Sequence, residues 1–208
     1  MNNVNPLTDR PVGIVPLHEV LAQPGVEFLR AISAGRYPMP PMAAVIPMAP
    51  VQIDEGYVVF RAVPESRFYN PIGSVHGGYA STLLDTAMGC AVHSTLPAGE
   101  GYTTLEIKIA FHKPITHATG ELRIEGTVVS RGARVASATG RITDAKGELL
   151  ASGTTTCLVF RTDPPRLPEP GQVTAITASP TDPAAGSRDT HPAPRPPERR
   201  EGSAPPSR

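Results

Sequence analysis

Two groups of residues in this chain could act together on a carbonyl: the His76-Gly77-Gly78 corner, and Asp85, seven residues past the second glycine. Backbone N–H groups at a helix start have no partner inside the helix, so a corner of this kind can offer donors to a developing oxyanion. Glycine adds close access, because no side chain keeps a carbonyl away from the backbone. Asp85 supplies the other half, either by activating water or by attacking directly. The residues that follow define the element beneath both groups. Ala80, Leu83, Leu84, Ala87, Met88, Ala91 and Val92 recur at the spacing of a buried helix face. On that helix Asp85 falls on a flank shared with Ser81, Gly89 and Val92, off the middle of the apolar stripe. It is too far along to cap the helix or to gain from its dipole. Its flank must face solvent or a cleft shared with a second subunit, and the bared N–H groups at Gly77 and Gly78 favour the cleft. Cys90 falls roughly opposite Asp85 and no Gly-x-Ser-x-Gly elbow occurs, so no serine or cysteine nucleophile competes.

Around the helix the sequence alternates in the manner of strands. Pro50 to Ile53 and Tyr57 to Val63 flank the turn Asp54-Glu55-Gly56, and form a hairpin leading into the corner. Beyond the helix, Tyr102 to Lys113, Gly120 to Ser130, Arg134 to Thr143 and Glu148 to Phe160 read as longer strands separated by turn residues. One helix with five or six antiparallel strands is an α+β pattern. A single sheet with one face on a helix leaves an edge strand open, and edges are commonly covered by a second chain, so a homodimer is expected. Three segments follow. Residues 1–42 form a loose arm and one or two short helices ending near Gly35, 43–160 the α+β domain, and 161–208 a proline-rich tail with little to bury, expected to be disordered.

The chain has 208 residues with formal net charge zero, so nothing draws it globally to nucleic acid or to a membrane surface. An anionic ligand would need local basic groups, and Arg131, Arg134 and Lys113, at strand ends, are the candidates beside their reading as ordinary surface charges. No apolar run approaches a membrane span, and the first residues lack the pattern of a signal peptide. The two cysteines make neither a metal spacing nor a disulfide framework, which suits a reduced, cytoplasmic protein. No metal and no cofactor is implied, because His76, Asp85 and His93 do not share one helix face.

Asn70-Pro-x-Gly-x-x-His-Gly-Gly, the aspartate at Asp85, and the strand from Thr103 to Pro114 together resemble the hotdog-fold acyl-CoA thioesterases of the phenylacetate-degradation (PaaI) type, over roughly residues 25 to 160. The resemblance implies a curved antiparallel sheet wrapped round one long central helix, a homodimer or dimer of dimers, and hydrolysis of a coenzyme A thioester. It implies that Asn70 holds the carboxylate, thioester or water, that Gly77 with Gly78 beside it polarises the carbonyl, and that Asp85 acts from the other subunit. Thr104 is implied to position water, with Thr103 as its alternative. His76 either fixes the corner or takes part in the chemistry, Ser81 shares the Asp85 flank, and Arg131, Arg134 and Lys113 would meet the coenzyme A phosphates. A non-hydrolytic acyl-CoA-binding protein and a hydroxyacyl dehydratase are the other classes compatible with such a fold.

Overall fold

The computed structural model describes residues 4–5 and 7–161. The proline-rich segment expected to be disordered lies outside the described residues. The elements in order are β1 (Val4–Asn5), β2 (Arg10–Pro11), α1 (Leu17–Leu21), α2 (Gly25–Ser33), α3 (Met42–Val45), β3 (Ala49–Asp54), β4 (Tyr57–Ala62), α4 (Gly77–Ser94), β5 (Glu100–Phe111), β6 (Leu122–Arg131), β7 (Val135–Thr143) and β8 (Leu149–Arg161). Strands β3 to β8 form a six-stranded antiparallel sheet in the order β3-β4-β6-β7-β8-β5, and α4 lies across it.

The seating of α4 follows from small residues on both partners. Gly126, Gly140 and Gly153 are paired with one another across β6, β7 and β8, and form a row without side chains. A Cβ at Gly126 would lie 2.2 Å from the Ala87 carbonyl oxygen, and one at Gly140 would lie 2.8 Å from Met88 Cγ. The helix therefore rests directly on the backbone of the central strands. Leu83, Leu84, Ala87, Met88, Ala91 and Val92 are almost fully buried there with Val58, Leu122, Ile124 and Ile142. The apolar stripe expected from the spacing is the face that packs.

The N-terminal segment differs from the loose arm expected of it. Asn5 is buried, and its Nδ2 donates to the Met48 carbonyl at 2.8 Å. The Arg10 guanidinium donates to the carbonyls of Ile32 and Ser33 at the C-terminal end of α2 and to that of Tyr37 beyond it. Met42–Val45 is one helical turn, and it places Ala43 against Val12 and Met39. These contacts fasten the arm over the β3 side of α4.

The opposite edge is open. Strand β5 pairs only with β8, over twelve residues, and carries Leu105 and Phe111 with more than half of each surface exposed. Such a strand presents unpaired backbone groups and apolar side chains together.

Candidate active site

The chain enters α4 through a corner held by several backbone bonds. Val75 N–H donates to the Ile115 carbonyl at 2.9 Å, and His76 N–H to the Phe68 carbonyl at 2.8 Å. Before them, Asn70 closes a small loop. Its Oδ1 accepts from the N–H groups of Ile72 and Ser74, and its Nδ2 donates to Ser74 Oγ at 3.1 Å. The carboxamide thus holds the loop shape, with one Nδ2 hydrogen left for a ligand.

His76 is the N-cap of α4, and its Nδ1 accepts from Gly78 N–H at 2.9 Å. The imidazole is therefore unprotonated at Nδ1 in this arrangement. The bond also distinguishes the two glycines, since Gly78 N–H is used by the cap while Gly77 N–H meets no acceptor among the described residues. Gly77 opens onto a cavity of about 470 Å³ whose walls include Asn70, Ser74, Ala80, Phe111, His112 and Lys113. Ser81 Oγ donates to the Gly77 carbonyl at 2.8 Å, which commits that hydroxyl proton to the helix.

The second half lies further along the same flank. Asp85 is partly buried, and its Oδ1 accepts from Thr104 Oγ1 at 3.0 Å. Strand β5 alternates so that Thr104 faces the helix and Thr103 faces out. Because β5 runs antiparallel to α4 along this flank, three contacts occur in sequence: Phe111 at Gly77, Thr104 at Asp85, and Tyr102 at Gly89, whose Cβ position lies 2.6 Å from the Tyr102 hydroxyl. Eight helical residues separate Gly77 from Asp85, about 12 Å of rise. That is too far for one substrate carbonyl to meet both in the same chain.

The basic candidates divide. Lys113 lines the Gly77 cavity, with its ammonium paired to Glu148. Arg131 does not reach that cavity. Its guanidinium, with that of Arg161, is committed to the buried carboxylate of Glu100 at the far end of β5, roughly 35 Å of strand away from Phe111. Arg134, in the exposed β6–β7 hairpin, stands at that same end. Neither arginine is a phosphate contact for the Gly77 cavity of its own chain. Among the described residues, no three of the His, Cys, Asp and Glu side chains cluster as metal ligands would, and no described helix is long and apolar enough to cross a membrane.

The two thiols and His93 are packing groups. Cys90 lines a small apolar cavity with Leu29, Ile32 and Phe60 on the side of α4 away from Asp85, and burial pushes its thiol up to about 12. Burial likewise raises Cys157. His93, set between the rings of Phe28 and Tyr102, is pushed down to about 4 by burial. His112 is exposed, with Nε2 2.8 Å from Ser152 Oγ. Phe111 also borders the Gly77 cavity. Its strand parity with Ile107 and Ile109 was the available signal that it faces the helix.

Residues 72–151 match the family model of the thioesterase superfamily. A protein of Halobacterium salinarum, an esterase by name alone, is 35% identical over 99 residues, which are 44% of this chain. The chain thus spans 64% of the length of that curated relative. Among solved structures, a phenylacetic acid degradation-related protein of Ralstonia eutropha JMP134, titled as a thioesterase, aligns with a TM-score of 0.57 at 28% identity, covering 62% of this chain and 97% of that one. A Streptococcus mutans UA159 protein bound to acetyl-CoA aligns with a TM-score of 0.51 at 27% identity, over 55% of this chain and 90% of its own. The Escherichia coli PaaI protein shares the fold, with a TM-score of 0.57 at 20% identity over 69% of this chain and 96% of PaaI.

Proposed function

We propose that this chain, which resembles the PaaI-type hotdog thioesterases, hydrolyses an acyl-CoA thioester to a free acid and coenzyme A. The observation that carries this reading is the division of labour at the corner. His76 takes Gly78 N–H and leaves Gly77 N–H free inside a cavity. A thioester oxygen placed on that N–H would gain stabilisation as it becomes an oxyanion.

Asp85 then delivers oxygen to the carbonyl carbon, by drawing a proton from water or by direct attack to an anhydride that water then hydrolyses, and Thr104 orients it through their hydrogen bond. The tetrahedral centre collapses, the C–S bond breaks and the thiolate of coenzyme A leaves. The distance between Gly77 and Asp85 along one helix favours sites shared by two copies, with β5 as the joining edge. The acetyl-CoA bound to the Streptococcus mutans neighbour supports a coenzyme A ester as ligand. Cys90 and Cys157, both free, suit a reducing cytoplasm.

The test is thiol release from a panel of acyl-CoAs by the parent and by Asp85→Asn. The parent should release thiol, and the variant should lose about 10²–10⁴-fold, the usual share of a general base, while melting normally. No release by the parent, or a variant within a few fold of it, rejects the reading.

A further inference from the structure

We propose that Phe111 selects the acyl group by walling the slot in front of the Gly77 amide, so that the enzyme prefers acyl chains unbranched at the α-carbon. The inference rests on the thioesterase reading above.

The ring stands over the glycine. A Cβ on Gly77 would lie 3.0 Å from Phe111 Cζ and 3.4 and 3.5 Å from the two Cε atoms, so the tip of the ring occupies the space a side chain would need. Phe111 and Gly77 line the same cavity. The ring has the helix-facing parity of Ile107 and Ile109, yet 57% of Phe111 remains exposed. A half-exposed aromatic beside an unspent backbone donor is placed to touch whatever that donor binds.

A carbonyl oxygen on Gly77 N–H sits about 2.7–3.1 Å from the nitrogen. The carbonyl carbon and its α-carbon then fall within van der Waals reach of the ring. An unbranched acyl group can run past the exposed part of the ring, whereas a methyl branch at the α-carbon meets it. Gly77 is thus glycine for two reasons, its free N–H and the room taken by Phe111.

Butyryl-CoA and isobutyryl-CoA probe this directly, because their acyl groups have the same atoms and differ only in the α-branch. We expect the isobutyryl-to-butyryl ratio of kcat/KM to rise about tenfold or more in Phe111→Ala, as one methyl group in an apolar slot commonly decides. Phe111→Leu should lie between parent and Ala. Gly77→Ala should move the ratio the opposite way by pressing a methyl against the ring, which keeps the test alive if Phe111→Ala folds poorly by circular dichroism. A ratio within about twofold of the parent in all folded variants, or an equal fall on both substrates, overturns the role of Phe111 and leaves the thioesterase reading standing. If the parent releases thiol from no acyl-CoA, that reading falls and this inference with it.

Discussion

The two ends of α4 carry the same residue types and do opposite things. At the N-terminal end stand His76, Gly77 and Gly78; at the C-terminal end stand His93 and, pressed against it from α2, Gly25. The first histidine is exposed, caps the helix and leaves a backbone donor open to a cavity. The second is enclosed between Phe28 and Tyr102 and is part of the packing. A Cβ on Gly25 would lie 1.9 Å from the His93 carbonyl oxygen, so this glycine lets two backbones touch, whereas Gly77 leaves its backbone open to a cavity. Residue type alone does not assign chemistry. What packs against the residue does.

Substitutions at each end should therefore separate turnover from stability. The largest effect concerns the reacting pair. Gly77→Val and Asp85→Asn should each abolish most turnover, and co-expressed together they should complement, because a mixed dimer has one site carrying both changes and one carrying neither. With random mixing, roughly a quarter of parental activity should return by this two-fold argument. Verified mixed dimers with no recovered activity would mean that both residues act within one chain, and the shared site would have to be abandoned.

The closed end should answer in stability instead. In Gly25→Ala the added carbon meets backbone, which cannot rotate away. We expect a loss of about 3 kcal/mol, the upper part of the overpacking range, seen as a melting temperature lower by about 6–12 °C. Turnover per folded molecule should stay near the parent. Gly77→Ala meets only the tip of a half-exposed ring and should change stability by less than about 1 kcal/mol. Equal melting of the two variants would remove the distinction between the ends.

The closed end also predicts a pH response. Burial lowers His93 from an ordinary 6.5 to about 4, so the unfolded chain takes up the proton first. The stability from this residue is complete above pH 6.5 and is lost as pH falls from 6.5 towards 4, reaching about 3 kcal/mol. Chemical denaturation between pH 6.5 and 5 should show this slope in the parent and a flatter one in His93→Leu. The upper part of the window is the informative one. Although burial raises Glu125, its hydrogen bonds from Arg141 and Tyr57 hold its carboxyl below the usual range, so its contribution is lost only at lower pH. An unchanged slope in His93→Leu would locate the acid response elsewhere.

Local features were more legible from sequence than either end of α4 as a whole. The helix, the turn at Gly56 with its positive φ of 76°, and the turn at Gly147 with 80° are local features, written in periodicity and in residues that tolerate left-handed backbone. The hotdog arrangement followed from motif order. What sequence could not supply were pairings set by distant segments. The Arg131 guanidinium meets Glu100 across 31 residues, at the end of β5 away from the Gly77 cavity of its own chain. Asn5 reaches Met48 across 43 residues, and nothing in a polar N-terminus announces such an anchor. Phe111 was visible as an aromatic, but its seat over Gly77 depends on how β5 runs beside α4.

The smallest effect tests what His76 does, for which the sequence allowed either a fixed corner or direct chemistry. The geometry assigns it a hydrogen bond, Nδ1 from Gly78 N–H, and nothing that bond requires is unique to imidazole. Asparagine is a strong N-cap and can accept from the same donor, whereas alanine cannot. His76→Ala should therefore cost about 1 kcal/mol of stability and release Gly78 N–H as a second, competing donor, and His76→Asn should restore most of the loss. Turnover follows the cap if the histidine is structural. With the cap restored in His76→Asn, kcat should return to within a few fold of the parent and its pH profile should keep the same shape. A His76→Asn variant that melts like the parent but has lost about a hundredfold or more in kcat would show that the ring exchanges protons with the substrate. The division between Gly77 and Gly78 would then need a second catalytic partner at the open end.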